Sequence, residues 1–162
     1  MKASKAVEIG RLALCILVCQ LAGLFGSLFT RSSVGTWYAG LTKPSFSPPG
    51  WVFGPVWITL YLLMAVAAYF VWRRGWDKRA VKAALGLFAL QLLFNALWSA
   101  AFFGMRSVLL GLVDISLLWI ALFATTVLFF RISRAAGILL LPYVLWLSFA
   151  VVLNISLLVL NA

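Results

Sequence analysis

"VLLGLVDISLLWIALFATTVLFFRISRAAGILLLPYVLWLSFAVVLNISLLVL", residues 108–160, holds two apolar runs, 108–130 and 135–160, on either side of the residues "RISR". At 1.5 Å per residue, each run is long enough to cross a hydrocarbon core of about 30 Å. A link this short returns the second run antiparallel beside the first, so the stretch reads as a transmembrane helical hairpin. Working outward, apolar runs recur at about 12–29, 51–72 and 83–103, cut by charge or by Gly and Pro. The links "RRGWDKRAVK" and "GMRS" are short, and only the link 30–50 is long. The expectation is an all-α, polytopic membrane protein: one domain over 1–162, a five-transmembrane-helix bundle, with 30–50 as a lid loop.

Composition agrees. Of 162 residues, 65% are apolar and 10% charged, where a soluble domain carries about 25% charged residues. The net charge of +10 invites a nucleic-acid reading, but such a site needs its cations clustered on a soluble surface. Here they stand at the ends of apolar runs, so the expected surroundings are a lipid bilayer and no nucleic acid. Lys2, Lys5, Arg11, Arg73, Arg74, Lys78, Arg79, Lys82, Arg131 and Arg134 fall on one face, against Arg31, Lys43 and Arg106 on the other. That bias places the N-terminus in the cytoplasm and the first loop and C-terminus on the opposite side. A cleaved signal peptide is the rival reading of the first run. Its small residues Ala22, Gly23, Gly26 and Ser27 suit close helix packing equally well.

Histidine is absent and the acids are Glu8, Asp77 and Asp114. Ordinary hydrolase, zinc and proton-relay chemistry lack their usual residues, and no metal site is expected. Cys15 and Cys19, one helical turn apart, read as small apolar core residues and not as a redox pair.

The aromatic and polar residues are unevenly placed. Trp37, Trp51, Trp72 and Trp76 lie at run ends or in loops, as an interfacial aromatic belt does. Trp57, Trp98, Trp119 and Trp146 lie inside the runs, where an indole N–H needs a partner or a cavity. Counting down from the outer ends puts Trp57, Asn95, Trp98, Asp114 and Asn154 in one layer about 7 to 12 Å deep, with Tyr61 and Trp146 at roughly 15 to 20 Å. Helical stripes support a shared interior: Trp57, Tyr61, Met64, Ala68; Gln91, Asn95, Trp98, Phe102; Tyr143, Trp146, Ala150, Asn154. An ordinary core glued by Asn95, Asp114 and Asn154 would give the same stripes. Asp114 is the stronger flag, because an intramembrane acid faces a bundle interior or a functional cavity. Its candidate partners are Arg106, hydroxyls, and the Trp or Asn donors of its layer. Above the layer, Lys43-Pro44 and Ser47-Pro48-Pro49 favour defined extended turns, and Pro55 is expected in about the first turn of the second helix. A rigid lid over an aromatic, partly polar cavity suits a large flat amphipathic ligand; the plain alternative is prolines that merely terminate helices.

"WYAGLTKPSFSPPGWVFGPVWITLY" (37–61), "FNALW" (94–98), "VD" (113–114) and "PYVLWLSFA" (142–150) together resemble the TspO/MBR family. These are the tryptophan-rich sensory proteins related to the mitochondrial translocator protein, or peripheral-type benzodiazepine receptor. The resemblance covers nearly the whole chain. It implies a five-helix bundle, commonly homodimeric, that binds porphyrins such as protoporphyrin IX, other tetrapyrroles and synthetic aromatic ligands, with no obligatory cofactor. Carried over residue by residue, its pocket beneath the first loop would be lined by Tyr38, Trp57, Tyr61, Asn95, Trp98, Asp114, Ile115, Trp146 and Ala150. Trp37, Lys43, Pro44, Pro48 and Pro49 would form the lid. The leading expectation is a receptor or transporter and not an enzyme. One alternative is light- and oxygen-dependent porphyrin breakdown, for which Trp57 and Trp146 match the pair implicated in some bacterial relatives; another is a membrane stress-signalling scaffold. Animal members carry a cholesterol motif of Leu or Val, Tyr, then Arg or Lys after "VLN"; "VVLNISLLVLNA" (151–162) has neither the Tyr nor the basic residue, so steroid transport is not expected.

Overall fold

The computed structural model describes residues 4–162. Its five long helices are α1 (Lys5–Ser33), α2 (Gly50–Trp72), α3 (Arg79–Ser99), α4 (Val108–Ile132) and α5 (Arg134–Leu160). All five are long and apolar enough to span a membrane.

The first helix exceeds its apolar run at both ends. Ser4 caps it by accepting a hydrogen bond from the Val7 amide at 3.4 Å, and Glu8 lies in the first turn, where a carboxylate suits the positive end of the helix dipole. Arg11 pairs with Glu8 at 3.0 Å, so these polar residues continue the helix past the apolar boundary. At the other end the hydroxyls of Thr30 and Ser32 donate to the carbonyls of Gly26 and Phe29. The helix therefore runs to Ser33, and the lid begins after it and not at residue 30. Pro55 is also displaced from expectation. With α2 starting at Gly50, Pro55 lies beyond the first turn and removes the bond that the Trp51 carbonyl would have accepted.

Short links carry the turns. Ser107 caps α4 by accepting from the Leu110 amide at 3.2 Å. Ser133, in extended conformation (φ −152°, ψ 111°), is the single residue between α4 and α5. After α3 the backbone widens into a π-wound turn, Ala100–Gly104, which re-aims Phe102 and Phe103. Around the bundle the helices are ordered α1, α2, α5, α4, α3, with α3 returning to α1. Small residues let α1 approach its neighbours closely: a Cβ on Gly23 would lie 2.5 Å from the Tyr61 ring, and one on Gly26 would lie 2.9 Å from the Ser99 hydroxyl. Ala84 of α3 is fully buried within the subunit.

Contacts at each end fix α1 antiparallel to α2 and parallel to α3. Tyr69 Oη donates to Glu8 Oε2 at 2.9 Å and Arg73 Nε lies 3.8 Å from the same oxygen, joining the start of α1 to the end of α2. At the opposite end the Ser33 hydroxyl donates to the Phe103 carbonyl at 2.8 Å. One end thus gathers the 73–78 and 131–134 links with most of the cations; the other gathers the lid, the 104–107 link and the C-terminal residues. Lys2, counted with the basic face, lies outside the described residues.

Candidate ligand site

Beneath the lid, α2 contributes Phe53, Trp57 and Tyr61, successive members of one stripe four residues apart. Trp57 packs on Tyr61 with ring centroids 5.6 Å apart, and edge-on against Tyr143 of α5 at 6.1 Å. The polar centre is a relay across three helices: Tyr61 Oη donates to Asn95 Oδ1, and Asn95 Nδ2 donates to Tyr143 Oη at 2.6 Å. All three side chains are buried. Asn95 therefore serves as interhelical glue, one of its two sequence-level readings, and its amide faces its tyrosine partners.

Phe102 organises the layer nearer the lid. It is 2% exposed and stacks on Trp98 at 5.0 Å and 21°. It also meets Trp37 at 5.4 Å and Tyr38 at 6.1 Å. A Cβ on Gly111 of α4 would come within 2.6 Å of the Phe102 ring, so glycine is what lets the phenyl group lie against that helix. Trp98 touches both the main core and the smaller cluster under the lid. Trp146 packs against Phe53 at 5.9 Å and Phe149 at 5.6 Å. Ile115 is buried, and Ala150 packs on the main core at partial exposure.

Several polar atoms of this layer have no partner. Trp98 Nε1, Asp114 Oδ2 and both side-chain polar atoms of Asn154 are buried and make no hydrogen bond. Such atoms are costly to leave unpaired and mark sites that a ligand or water completes. Asn154 and Phe102 both approach Gly111, a Cβ there lying 3.2 Å from Asn154 Nδ2. Arg106 is not the partner of Asp114: among the described residues the ion pairs are those of Glu8, and Arg106 is exposed in a left-handed turn (φ 50°). Trp119, by contrast, finds its partner, donating from Nε1 to the Ser148 hydroxyl at 2.8 Å.

The lid is a defined structure. Trp37 leads into a 3₁₀ turn at Tyr38–Gly40. The Lys43 ammonium lies 4.8 Å from the Tyr38 ring centroid and donates to the carbonyls of Ala39 and Leu41. Pro44 accepts from the Ser47 amide at 3.0 Å. Pro48 is half-buried, and Pro49 in extended conformation precedes α2. Burial pushes the Tyr38 phenol above its usual pKa of 10.0, the Ser47 hydroxyl acting in the opposite direction.

Sequence reasoning overlooked two supports. Asn161 clasps the lid: its Oδ1 accepts from the Thr42 amide and its Nδ2 donates to the Thr42 carbonyl, both at 2.9 Å. A polar residue after the last apolar run gave no hint of this. Phe102 was legible as a stripe member but not as the residue filling the layer, because the π-wound turn shifts it from ideal helical phase. No three His, Cys, Asp or Glu residues converge into a metal-ligating group among the described residues.

Comparison with known proteins agrees with this geometry. The model of the TspO/MBR family matches residues 15–160. A tryptophan-rich protein TspO of Chlorobaculum tepidum is 48% identical over 95% of this chain and 98% of its own length. One from Archaeoglobus fulgidus is 46% identical over 96% of this chain and 100% of its own. The human translocator protein is 44% identical over 85% of this chain and 82% of its own. An integral multi-pass bundle with a lidded, tryptophan-lined layer and matches along almost its entire length, the chain belongs to the TspO/MBR family.

Proposed function

We propose that this protein is a membrane receptor or carrier for tetrapyrroles and similar flat hydrophobic molecules, bound beneath the lid. The observation that carries the reading is the set of unpartnered buried polar atoms on Trp98, Asp114 and Asn154 within an otherwise aromatic layer. A flat macrocycle offers π-faces to Trp57, Trp98 and Trp146 and polar edges to those atoms. Phe102 fills part of the layer, so entry requires the lid and the phenyl ring to yield. Relatives named translocator protein and tryptophan-rich sensory protein are in keeping with a transported or sensed ligand. The charge bias orients the lid away from the cytoplasm. The half-buried pair Ala96 and Ala100 on one side of the bundle supplies a small-residue face for a homodimer.

A second reading is oxidation of the bound porphyrin by dioxygen in light, with an indole as radical partner. What favours it is the contact of Trp57 with both Tyr61 and Tyr143, since neighbouring phenols can re-reduce an indole radical. The experiment is quenching of tryptophan fluorescence by protoporphyrin IX, in the dark and then illuminated, beside Trp57→Phe and Trp146→Phe. Saturable dark quenching weakened in both variants supports the receptor reading. Equal affinity in all three proteins defeats it, and Trp-dependent loss of porphyrin absorption in light moves the assignment to catalysis.

A further inference from the structure

At the end of the bundle opposite the lid, an open cleft of about 460 Å³ is lined by Phe70, Arg73, Arg74, Ser133 and Ala135. That volume falls within the roughly 300–1,000 Å³ of small-molecule sites. Independent features of its lining favour an anion. The 27-residue helix α5 begins here, presenting first-turn amides without intrahelical partners and the positive end of its dipole. Ser133, positioned to cap those amides, makes no side-chain capping bond. It is 5% exposed as a residue and lines the cleft, so its hydroxyl, free of a capping bond, is available to a group that enters the cleft.

The arginines face the same space from α2. Arg73 is held in place by Glu8 at 3.8 Å and by the Tyr69 ring, 5.5 Å from its guanidinium carbon. Arg74 has no carboxylate within 4.0 Å among the described residues. Guanidinium groups match the tetrahedral oxygens of phosphate by paired hydrogen bonds. The cleft also sits at the basic end of a bundle whose helices are long and apolar enough to span a membrane, where anionic headgroups are attracted to arginine, and Phe70 gives it an apolar wall.

We propose that this cleft binds phosphate, either the headgroup of an anionic phospholipid or the free ion, through Arg73, Arg74, the Ser133 hydroxyl and the first amides of α5. It is separate from the layer beneath the lid and stands or falls independently of the porphyrin reading.

The test uses the full chain in detergent, with its melting temperature read by tryptophan fluorescence and bound lipid counted by native mass spectrometry. The probes are phosphatidic acid, phosphatidylcholine of the same acyl chains, and inorganic phosphate. Phosphatidic acid is expected to raise the melting temperature by several degrees and remain bound in the gas phase, while phosphatidylcholine does neither. Arg74→Gln, at an exposed position, and Arg74→Gln combined with Ser133→Ala should lose the shift; Arg106→Gln, at the lid end, should keep it. An equal shift from inorganic phosphate identifies the free ion as sufficient, and a shift confined to phosphatidic acid identifies the lipid. Retention of the full shift in Arg74→Gln and the double variant, or no shift with either phosphate source, overturns the proposal.

Discussion

Asn95 uses both ends of its amide, accepting from Tyr61 and donating to Tyr143 at 2.6 Å. Asn95→Ala strands two buried phenols, and the expected cost is about 1–3 kcal/mol. Tyr61→Phe removes one bond and should cost less; thermal melts of the two variants in the same detergent check the order. Trp119→Phe is milder still, at about 1 kcal/mol, because the Ser148 hydroxyl retains its bond to the Val144 carbonyl at 2.8 Å. Tyr38 carries a pH dependence. Burial raises its pKa above 10.0, so the fold favours the neutral phenol. That contribution is fully present below pH 10.0 and is lost as pH climbs through the raised value. Tyrosinate absorbance and lid proteolysis should therefore rise together in strong alkali, and a lid unchanged after Tyr38 has ionised would show that the phenol does not hold it. At this scale the sequence placed Trp57 and Tyr61 on one interior stripe and Asn95 on another, and the structure joins the two stripes through the bond from Tyr61 to Asn95. It left Asp114 with a wrong candidate partner, because spacing along the chain says nothing about the left-handed turn that directs Arg106 outward.

Among the elements, the five helices were legible because each apolar run matches the membrane thickness. Their ends were not. Lys5, Glu8 and Arg11 lower local hydropathy, yet α1 continues through them, held by the Glu8–Arg11 pair and by the contacts of Glu8 with Tyr69 and Arg73. The close approaches of α1 were also readable, since Gly23 and Gly26 are among the small residues suited to close helix packing. Gly23→Val would drive a branched side chain into the Tyr61 ring, 2.5 Å from the glycine's missing Cβ. The expected results are a lowered melting point and faster amide exchange in α1, with α4 and α5 little changed. The lid's anchor lay outside any pattern, since the bond from Thr42 to Asn161 spans 119 residues. Asn161→Ala should leave the helices intact while amide exchange at Thr42 and cleavage between residues 34 and 49 accelerate. Unaltered exchange at Thr42 would show that the clasp contributes nothing.

For the whole molecule, the two ends differ in kind: one is crowded with arginine and lysine, the other carries the lid. In a cysteine-free background, single cysteines at Gly35 and at Arg134 should react with a membrane-impermeant maleimide from opposite sides of the membrane, Gly35 from outside intact cells. Reaction of both from the same side would contradict the antiparallel arrangement; reversal would contradict the orientation alone. The candidate site was legible as a layer because polar and aromatic residues of four helices fall at one computed depth. Its filling by Phe102 was not, because a widened turn is a property of backbone winding and leaves no compositional mark.

The clasp between Asn161 and Thr42 makes the last residues of the chain a handle on the lid. A bulky fusion attached after Ala162 exerts its drag two residues from the pivot that keeps the aromatic layer covered. Affinities measured on such a fusion would report a cover already pulled ajar, so a purification tag belongs at the other end of the chain.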